Sequence, residues 1–108
     1  MLRIYSVVLE MVADAAEIAE RIEPRDRDLA RELRTAASSV ALNTAEGWGN
    51  IGGHKRQRYQ TALGSAREVL SCVHVAKAMR YLGEVDAAIL DRIDHVIATL
   101  CRLVHRRA

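Results

Sequence analysis

The sequence is poor in the residues that shape β-rich or multidomain proteins. It has no phenylalanine, one proline and six glycines in 108 residues, and its apolar residues do not alternate as they would in a half-buried strand. Half of its residues are nevertheless hydrophobic. This composition predicts one compact all-α domain over residues 1–108.

Cysteine pairs and long apolar runs are also missing. Cys72 and Cys101 lie far apart and have no Cys-x-x-Cys partner, so they indicate neither a metal site nor a redox motif. They are interpreted as small buried hydrophobes in a reducing compartment. No segment approaches the roughly 18 apolar residues of a membrane span, and no signal-peptide pattern opens the chain. We therefore expect a cytoplasmic protein without a membrane partner.

The net charge is small, at +2, but it is unevenly distributed. Residues 1–23 carry two arginines against five acidic residues, whereas residues 24–83 carry ten lysines and arginines against five acidic residues. A local basic excess of this kind permits contact with phosphate backbones. Solvated surface charge is the competing explanation.

Apolar residues recur at helical spacing in four segments. Pro24 cannot continue the hydrogen bonds of a helix, a glycine-rich segment follows Glu46, and Gly83 separates the last two segments. The pattern predicts four helices, over about residues 2–22, 26–46, 54–82 and 85–106. Because their connections are short, we expect an up-down-up-down antiparallel four-helix bundle.

The predicted second helix has no charged residue from Thr35 to Ala45. Beside its core-facing seam it has a second face made of Thr35, Ser38, Leu42 and Ala45. A helix without a polar face is normally buried all round, which is difficult in one small domain. Gly64 in the third helix costs roughly 1 kcal/mol relative to alanine, and close approach of another backbone would offset that cost. These five residues are predicted to lie in a subunit interface.

Four glycines between residues 47 and 53 predict the end of the second helix, since glycine readily adopts the left-handed conformation that closes a helix. No strand precedes them and no Gly-Lys-Ser/Thr follows, so a phosphate-binding loop is not indicated. The segment is interpreted as a connector in which Trp48 acts as a hydrophobic plug.

Four polar residues are predicted to meet where the second and third helices pack near their turn: Asn43, Glu46, Ser65 and Glu68. They could set the register of the two helices through hydrogen bonds. They could instead form an acid/base pair or a divalent-metal site, or contact a ligand directly. No Ser-His-acid order is present, and the four histidines lack paired metal-ligand spacing. We therefore expect no catalytic residue, no metal and no cofactor.

Two basic groups are candidate contacts for RNA or DNA. Arg27, Arg31 and Arg34 share one side of the second helix, but acidic residues interleave with them, so salt bridges within the helix are the alternative. The second group opens the third helix and consists of His54, Lys55, Arg56 and Arg58. Its position at a helix start also favours anions.

Three spaced motifs cover about a third of the chain. They are Arg34-x-Ala36-Ala37-x-Ser39, then Asn43-x-Ala45-Glu46-Gly47-Trp48-Gly49, and then Arg58-Tyr59-x-x-Ala62-x-Gly64-Ser65-x-x-Glu68. Together they resemble the signature of the bacterial four-helix bundle proteins first noticed in intervening sequences of large-subunit ribosomal RNA genes. The same fold serves as the accessory variability protein of diversity-generating retroelements. A structural role is expected for the motif residues Asn43, Glu46, Gly47, Trp48, Gly64, Ser65 and Glu68.

The resemblance implies a homo-oligomeric ring, commonly a pentamer, and, in the retroelement branch, contact with nucleic acid and a reverse transcriptase. The resulting hypothesis is a non-enzymatic scaffold or adaptor that binds RNA or DNA through its basic segments. One alternative is a protein-interaction module that docks a partner such as a reverse transcriptase without touching nucleic acid. The other is an enzyme that uses Glu46 and Glu68.

Overall fold

The computed structural model describes residues 2–49 and 52–106. Over these residues the chain forms four α-helices and no strand. The predicted all-α, four-helix architecture is therefore confirmed. The helices are α1 (Arg3–Ile22), α2 (Arg27–Gly49), α3 (Gly52–Ala78) and α4 (Ala87–His105).

Each helix packs against its neighbours in the chain, and α1 closes the bundle against α4. The contact between α2 and α3 is the most extensive, followed by that between α1 and α2. Short connections make consecutive helices antiparallel, and the bundle measures 44 × 24 × 20 Å. At one end, called here the turn end, α1 begins, α2 ends, α3 begins and α4 ends. The opposite end is called the far end.

The core runs along the bundle axis and is made almost entirely of aliphatic side chains. α1 and α4 are the most one-sided helices and α3 is the least. None of the helices in the described segments is long and apolar enough to cross a membrane. The largest fully buried side chains are Val8, Met11, Ile18, Ile22, Leu33, Val40, Tyr59, Val69, Val73, Ile93, Val96 and Leu100.

Two aspartates fix the starts of α2 and α4. The Asp26 carboxylate accepts a hydrogen bond from the backbone N–H of Leu29 at 2.9 Å, and the Asp86 carboxylate accepts one from that of Ala88 at 2.9 Å. Such caps satisfy amide groups that have no partner within the helix. α4 therefore begins at Ala87, two residues later than the sequence predicts.

The predicted end of α2 at residue 46 is wrong, because the helix continues through Gly47 and Trp48 to Gly49. Gly47 is buried in the helix, and a Cβ atom placed on it would lie 2.5 Å from Cε1 of Tyr59. The glycine is thus required by the Tyr59 ring on α3 rather than by a turn. α3 then begins at Gly52, two residues earlier than expected.

The predicted end of α3 is also wrong, since the helix stops at Ala78 rather than near residue 82. Arg80 adopts the left-handed conformation, with φ of 65°, where glycine was expected to do so at position 83. The N–H of Tyr81 donates to the carbonyl of Ala76 at 2.8 Å, and the N–H of Arg80 donates to that of Lys77 at 3.0 Å. This pair of bonds is a Schellman motif, which satisfies the last carbonyls of the helix.

Candidate functional site

The predicted interface residues of α2 form an open stripe on the protomer. Thr35, Ser38, Leu42 and Ala45 are all exposed, and Leu42 leaves 65 % of its surface open to solvent. The helix is therefore not buried all round within one chain. Its outer face is apolar or uncharged and uncovered, which is the condition that the interface prediction requires.

Gly64 on α3 is exposed, and a Cβ atom placed on it would meet no other atom within 4 Å. Nothing inside the protomer therefore requires a glycine at this position. This contrasts with Gly47, whose neighbour Tyr59 leaves no room for a side chain. The helix-propensity cost of Gly64 has no intramolecular explanation.

A chain of polar contacts, called here the α2–α3 ladder, joins the two central helices. It comprises Ser39, Asn43 and Glu46 on α2 and Arg58 and Ser65 on α3. The hydroxyls of Ser39 and Ser65 lie 2.8 Å apart, and the Asn43 amide donates to the Ser39 carbonyl at 2.9 Å. Nearer the turn, Nε of Arg58 lies 3.0 Å from Oε2 of Glu46. Such contacts can fix the register of the two helices.

Glu68 does not join the other three residues of the predicted polar constellation. It is exposed on α3, ten residues beyond Arg58, which is about 15 Å along a helix. Burial raises the pKa of the Cys72 thiol to about 11, and the carboxylates of Glu32 and Glu68 add to this shift. In the described part of the chain, no three or more His, Cys, Asp or Glu side chains are grouped closely enough to hold a metal ion.

The two predicted basic groups lie at opposite ends of the bundle. Arg27, Arg31 and Arg34 are on the first turns of α2, at the far end. Arg31 pairs with Asp28 at 2.7 Å, and Arg34 pairs with Glu23. Arg31 and Gly49 are 18 residues apart, or about 27 Å along α2. The far-end group is thus separated from the second group and partly neutralised by acids.

The second basic group lies at the turn end, on the first turns of α3. His54, Lys55 and Arg56 make no ion pair within residues 2–49 and 52–106, and the first turn of α3 has no acidic residue. Arg58 differs, because Glu46 and Asn43 bind its guanidinium. The free positive charge of this group therefore comes from Lys55 and Arg56.

The sequence reading missed that the ends of α1 and α4 add positive charge at the same place. Arg3 opens α1, and Arg102 lies in the last turn of α4. Arg106 lies near Tyr59, since its charge opposes the rise in the pKa of Tyr59 that burial causes. The missed signal was helix direction, because α4 of an antiparallel bundle ends beside the start of α3.

A pocket of about 210 Å³ opens at the turn end between α1 and α2. Its walls are Leu2, Tyr5, Thr44, Ala45 and Trp48. Trp48 leaves 50 % of its surface exposed, so the expectation that it plugs a connector is wrong. It stands on the last turn of α2 as one wall of an open, mostly apolar pocket.

The geometry defines a small helical bundle with an apolar outer stripe on α2 and a basic turn end. The sequence matches the family model described as 23S rRNA-intervening sequence protein over residues 1–102. The chain therefore belongs to the 23S rRNA-intervening sequence protein family, which confirms the resemblance seen in the three motifs. The comparison with curated proteins gave no match, and neither did the comparison with solved structures. The link to retroelement proteins stays a prediction.

Proposed function

We propose that this protein is a cytoplasmic, non-enzymatic, homo-oligomeric scaffold that binds RNA or DNA at its turn end. The observation that supports this most is the cluster of His54, Lys55 and Arg56, which has no acidic partner in the described segments. Arg3 at the start of α1 and Arg106 just after α4 lie at the same end of the bundle. Unpaired cations on one surface attract phosphate backbones and release counterions when they bind.

Assembly would strengthen this weak binding. One copy offers only a few cations, but a ring repeats them, and linked sites bind far more tightly than separate ones. The open stripe of Thr35, Ser38, Leu42 and Ala45 supports a subunit contact on α2, with Gly64 on α3 as the point of close approach. By family resemblance, a pentamer is the expected number.

Binding can be tested with labelled single-stranded and duplex probes of 20 nucleotides, titrated by fluorescence anisotropy at several salt concentrations. The double variant Lys55→Glu/Arg56→Glu should weaken binding by about tenfold or more and flatten the salt dependence. The matched control is Arg27→Glu/Arg31→Glu at the far end, which should bind like the unmodified protein. Lack of salt-sensitive binding to both probes at low ionic strength would rule out the nucleic-acid function.

A protein-docking module is the second candidate, and the exposure of Leu42 favours it. By resemblance, the partner could be a reverse transcriptase. In this case a pull-down should recover a protein after nuclease treatment, and charge reversal at Lys55, Arg56 and Arg58 should leave that recovery intact. Leu42→Glu should abolish it.

The enzyme hypothesis ranks third. Glu46 is engaged by Arg58, whereas Glu68 lies about 15 Å further along α3. Two carboxylates at this separation do not face one substrate bond. If catalysis nevertheless occurs, Glu46→Gln or Glu68→Gln should abolish turnover while the oligomer stays intact.

A further inference from the structure

The pocket at the turn end combines an open aromatic face with nearby positive charge. Trp48 forms one wall and is half exposed, and Leu2, Tyr5 and Ala45 complete a mostly apolar surface. Ala45 also belongs to the open stripe on α2, so the pocket adjoins the proposed subunit contact and must stay open beside it. A half-exposed tryptophan loses the stabilisation that burial of its ring would give. In the protomer its outer face is available to another flat, apolar group.

The cations of the turn end lie within a few residues of this pocket along the chain. Arg3, the first residue of α1, lies in the sequence between Leu2 and Tyr5, which line the pocket. α3 begins three residues after Gly49, and its first turns carry Lys55 and Arg56. An apolar slot at the same end of the bundle as these unpaired cations suits a ligand that is itself a flat ring joined to an anion.

The size of the pocket narrows the choice of ligand. Its volume of about 210 Å³ lies below the range of about 300–1,000 Å³ that drug-sized ligands occupy. It suits a single ring system. Nucleobases stack on aromatic side chains whatever their sequence, because every base has a flat π-face. Only a base that has left its helix can reach such a side chain.

We propose that the pocket receives one unpaired base of a single-stranded RNA or DNA, stacked on Trp48, while Arg3, Lys55 and Arg56 hold the adjoining phosphates. This inference rests on the proposed nucleic-acid function and deepens it. It predicts that the protein prefers single strands to duplexes and that the preference depends on Trp48.

The chain offers a built-in probe, because Trp48 is its only tryptophan. The assembled protein is titrated with 12-nucleotide oligouridine, with oligothymidine and with a blunt duplex, and the tryptophan emission is recorded. Single strands should quench the emission on binding, and the duplex should leave it nearly unchanged. Quenching by either sugar type supports the proposal, since base and phosphate are common to RNA and DNA.

Two substitutions complete the test by anisotropy with the same probes. Trp48→Leu keeps an apolar side chain but removes the stacking face, so it should weaken single-strand binding by about 5- to 100-fold and leave duplex binding unchanged. Trp48→Phe keeps a stacking ring and should retain most of the affinity. Because both variants change the same residue, a difference in their affinity for single strands reports the stacking ring even if both variants are slightly destabilised.

Three results would overturn the proposal. Salt-sensitive binding without quenching, with Trp48→Leu equal to Trp48→Phe, would reject the stacking site while the proposed nucleic-acid function survives. No binding to any of the three probes would reject both the stacking site and the proposed nucleic-acid function. Shielding of Trp48 from acrylamide in the assembled protein, before any nucleic acid is added, would show that a second copy already fills the pocket.

Discussion

The contact between Gly47 and Tyr59 shows why a glycine can lie inside a helix rather than at its end. The sequence presents Gly47 as a stop signal, yet the structure uses its missing side chain to seat the Tyr59 ring between α2 and α3. Glycine in a helix is justified when another group approaches this closely. A local rule based on glycine therefore failed for a tertiary reason.

Gly47→Ala should destabilise the protein by about 1–3 kcal/mol, because the new methyl group would collide with the Tyr59 ring and force either helix to shift. Urea unfolding followed by circular dichroism measures this change. The matched control is Gly49→Ala, in the same helix, where a Cβ atom meets nothing within 4 Å. Equal stabilities of the two variants would contradict the packing explanation.

The Cys72 thiol should make the free energy of unfolding decrease in alkaline solution. The pKa of its thiol is raised from 9.0 to about 11 in the folded state, chiefly by burial. Below pH 9 both states keep the proton. Between these values the unfolded chain loses it first, so stability falls as pH rises, by up to about 1.4 kcal/mol per pH unit.

The check is to measure unfolding free energies of the protein and of Cys72→Ala from pH 8 to pH 11. The variant should be less stable at pH 8, because a buried group is lost, but its stability should fall less steeply with pH. Cys101→Ala serves as the control and should keep the steep fall. Identical slopes for all three proteins would remove Cys72 as the cause.

At the scale of the elements, the end of α3 carries a backbone strain that its sequence does not reveal. Arg80 has φ of 65°, a conformation that costs residues with a side chain roughly 1 kcal/mol. Arg80→Gly should therefore raise the melting temperature by a few degrees. Arg80→Ala keeps the Cβ atom and should give no such gain, which separates relief of strain from loss of the charge.

α1 and α4 are joined by a cluster of ion pairs that the sequence did not reveal. Arg92 on α4 binds Asp14 and lies 3.6 Å from Glu10, both on α1, and the first pair is mostly shielded from solvent. Hydrogen bonding to Asp14 raises the pKa of Arg92. Removing one partner of a shielded pair leaves the other charge uncompensated.

Arg92→Ala should lower the melting temperature by about 5 °C. The control is Arg31→Ala, which breaks an ion pair with Asp28 that is almost fully in solvent and should have little effect. Thermal scans at pH 7 compare the two. A larger loss for Arg31→Ala would show that the α1–α4 pair does not stabilise the bundle.

At the scale of the whole molecule, the sequence predicted the number and order of helices because apolar spacing is set by the core that they share. The α2–α3 ladder was foreseen only in part: Asn43, Glu46 and Ser65 belong to it as predicted, but Ser39 and Arg58 take the place expected for Glu68, because the pairing depends on the exact register of the two helices. The split of the basic residues could have been foreseen from helix direction. Arg27 and His54 lie near the starts of successive antiparallel helices and must therefore be at opposite ends.

The open stripe on α2 leads to a prediction about assembly. If the proposed oligomer forms through this stripe, Leu42→Glu should convert it to a protomer of 12.0 kDa, because a carboxylate would be desolvated at the subunit contact. Light scattering coupled to size exclusion measures the mass. Met79→Glu, at another apolar position that is more than half exposed and lies near the far end, should leave the mass unchanged.

Gly64→Ala tests the proposed subunit contact from the α3 side. An added methyl group has open space in the protomer, so it should not destabilise the isolated fold, but it should loosen the oligomer. Gly53→Ala, also open, is the control. If the unmodified protein is a monomer at micromolar concentration, the proposed assembly is refuted.

The helix pair with the largest contact, α2 and α3, is also joined by only two residues beyond their ends. Closing so short a connection costs little chain entropy, and contacts that are local in sequence form quickly. The motif-bearing hairpin is therefore the natural nucleus of folding, onto which α1 and α4 dock later. A full-length chain that refolds from denaturant would therefore form its central hairpin before its two outer helices are in place.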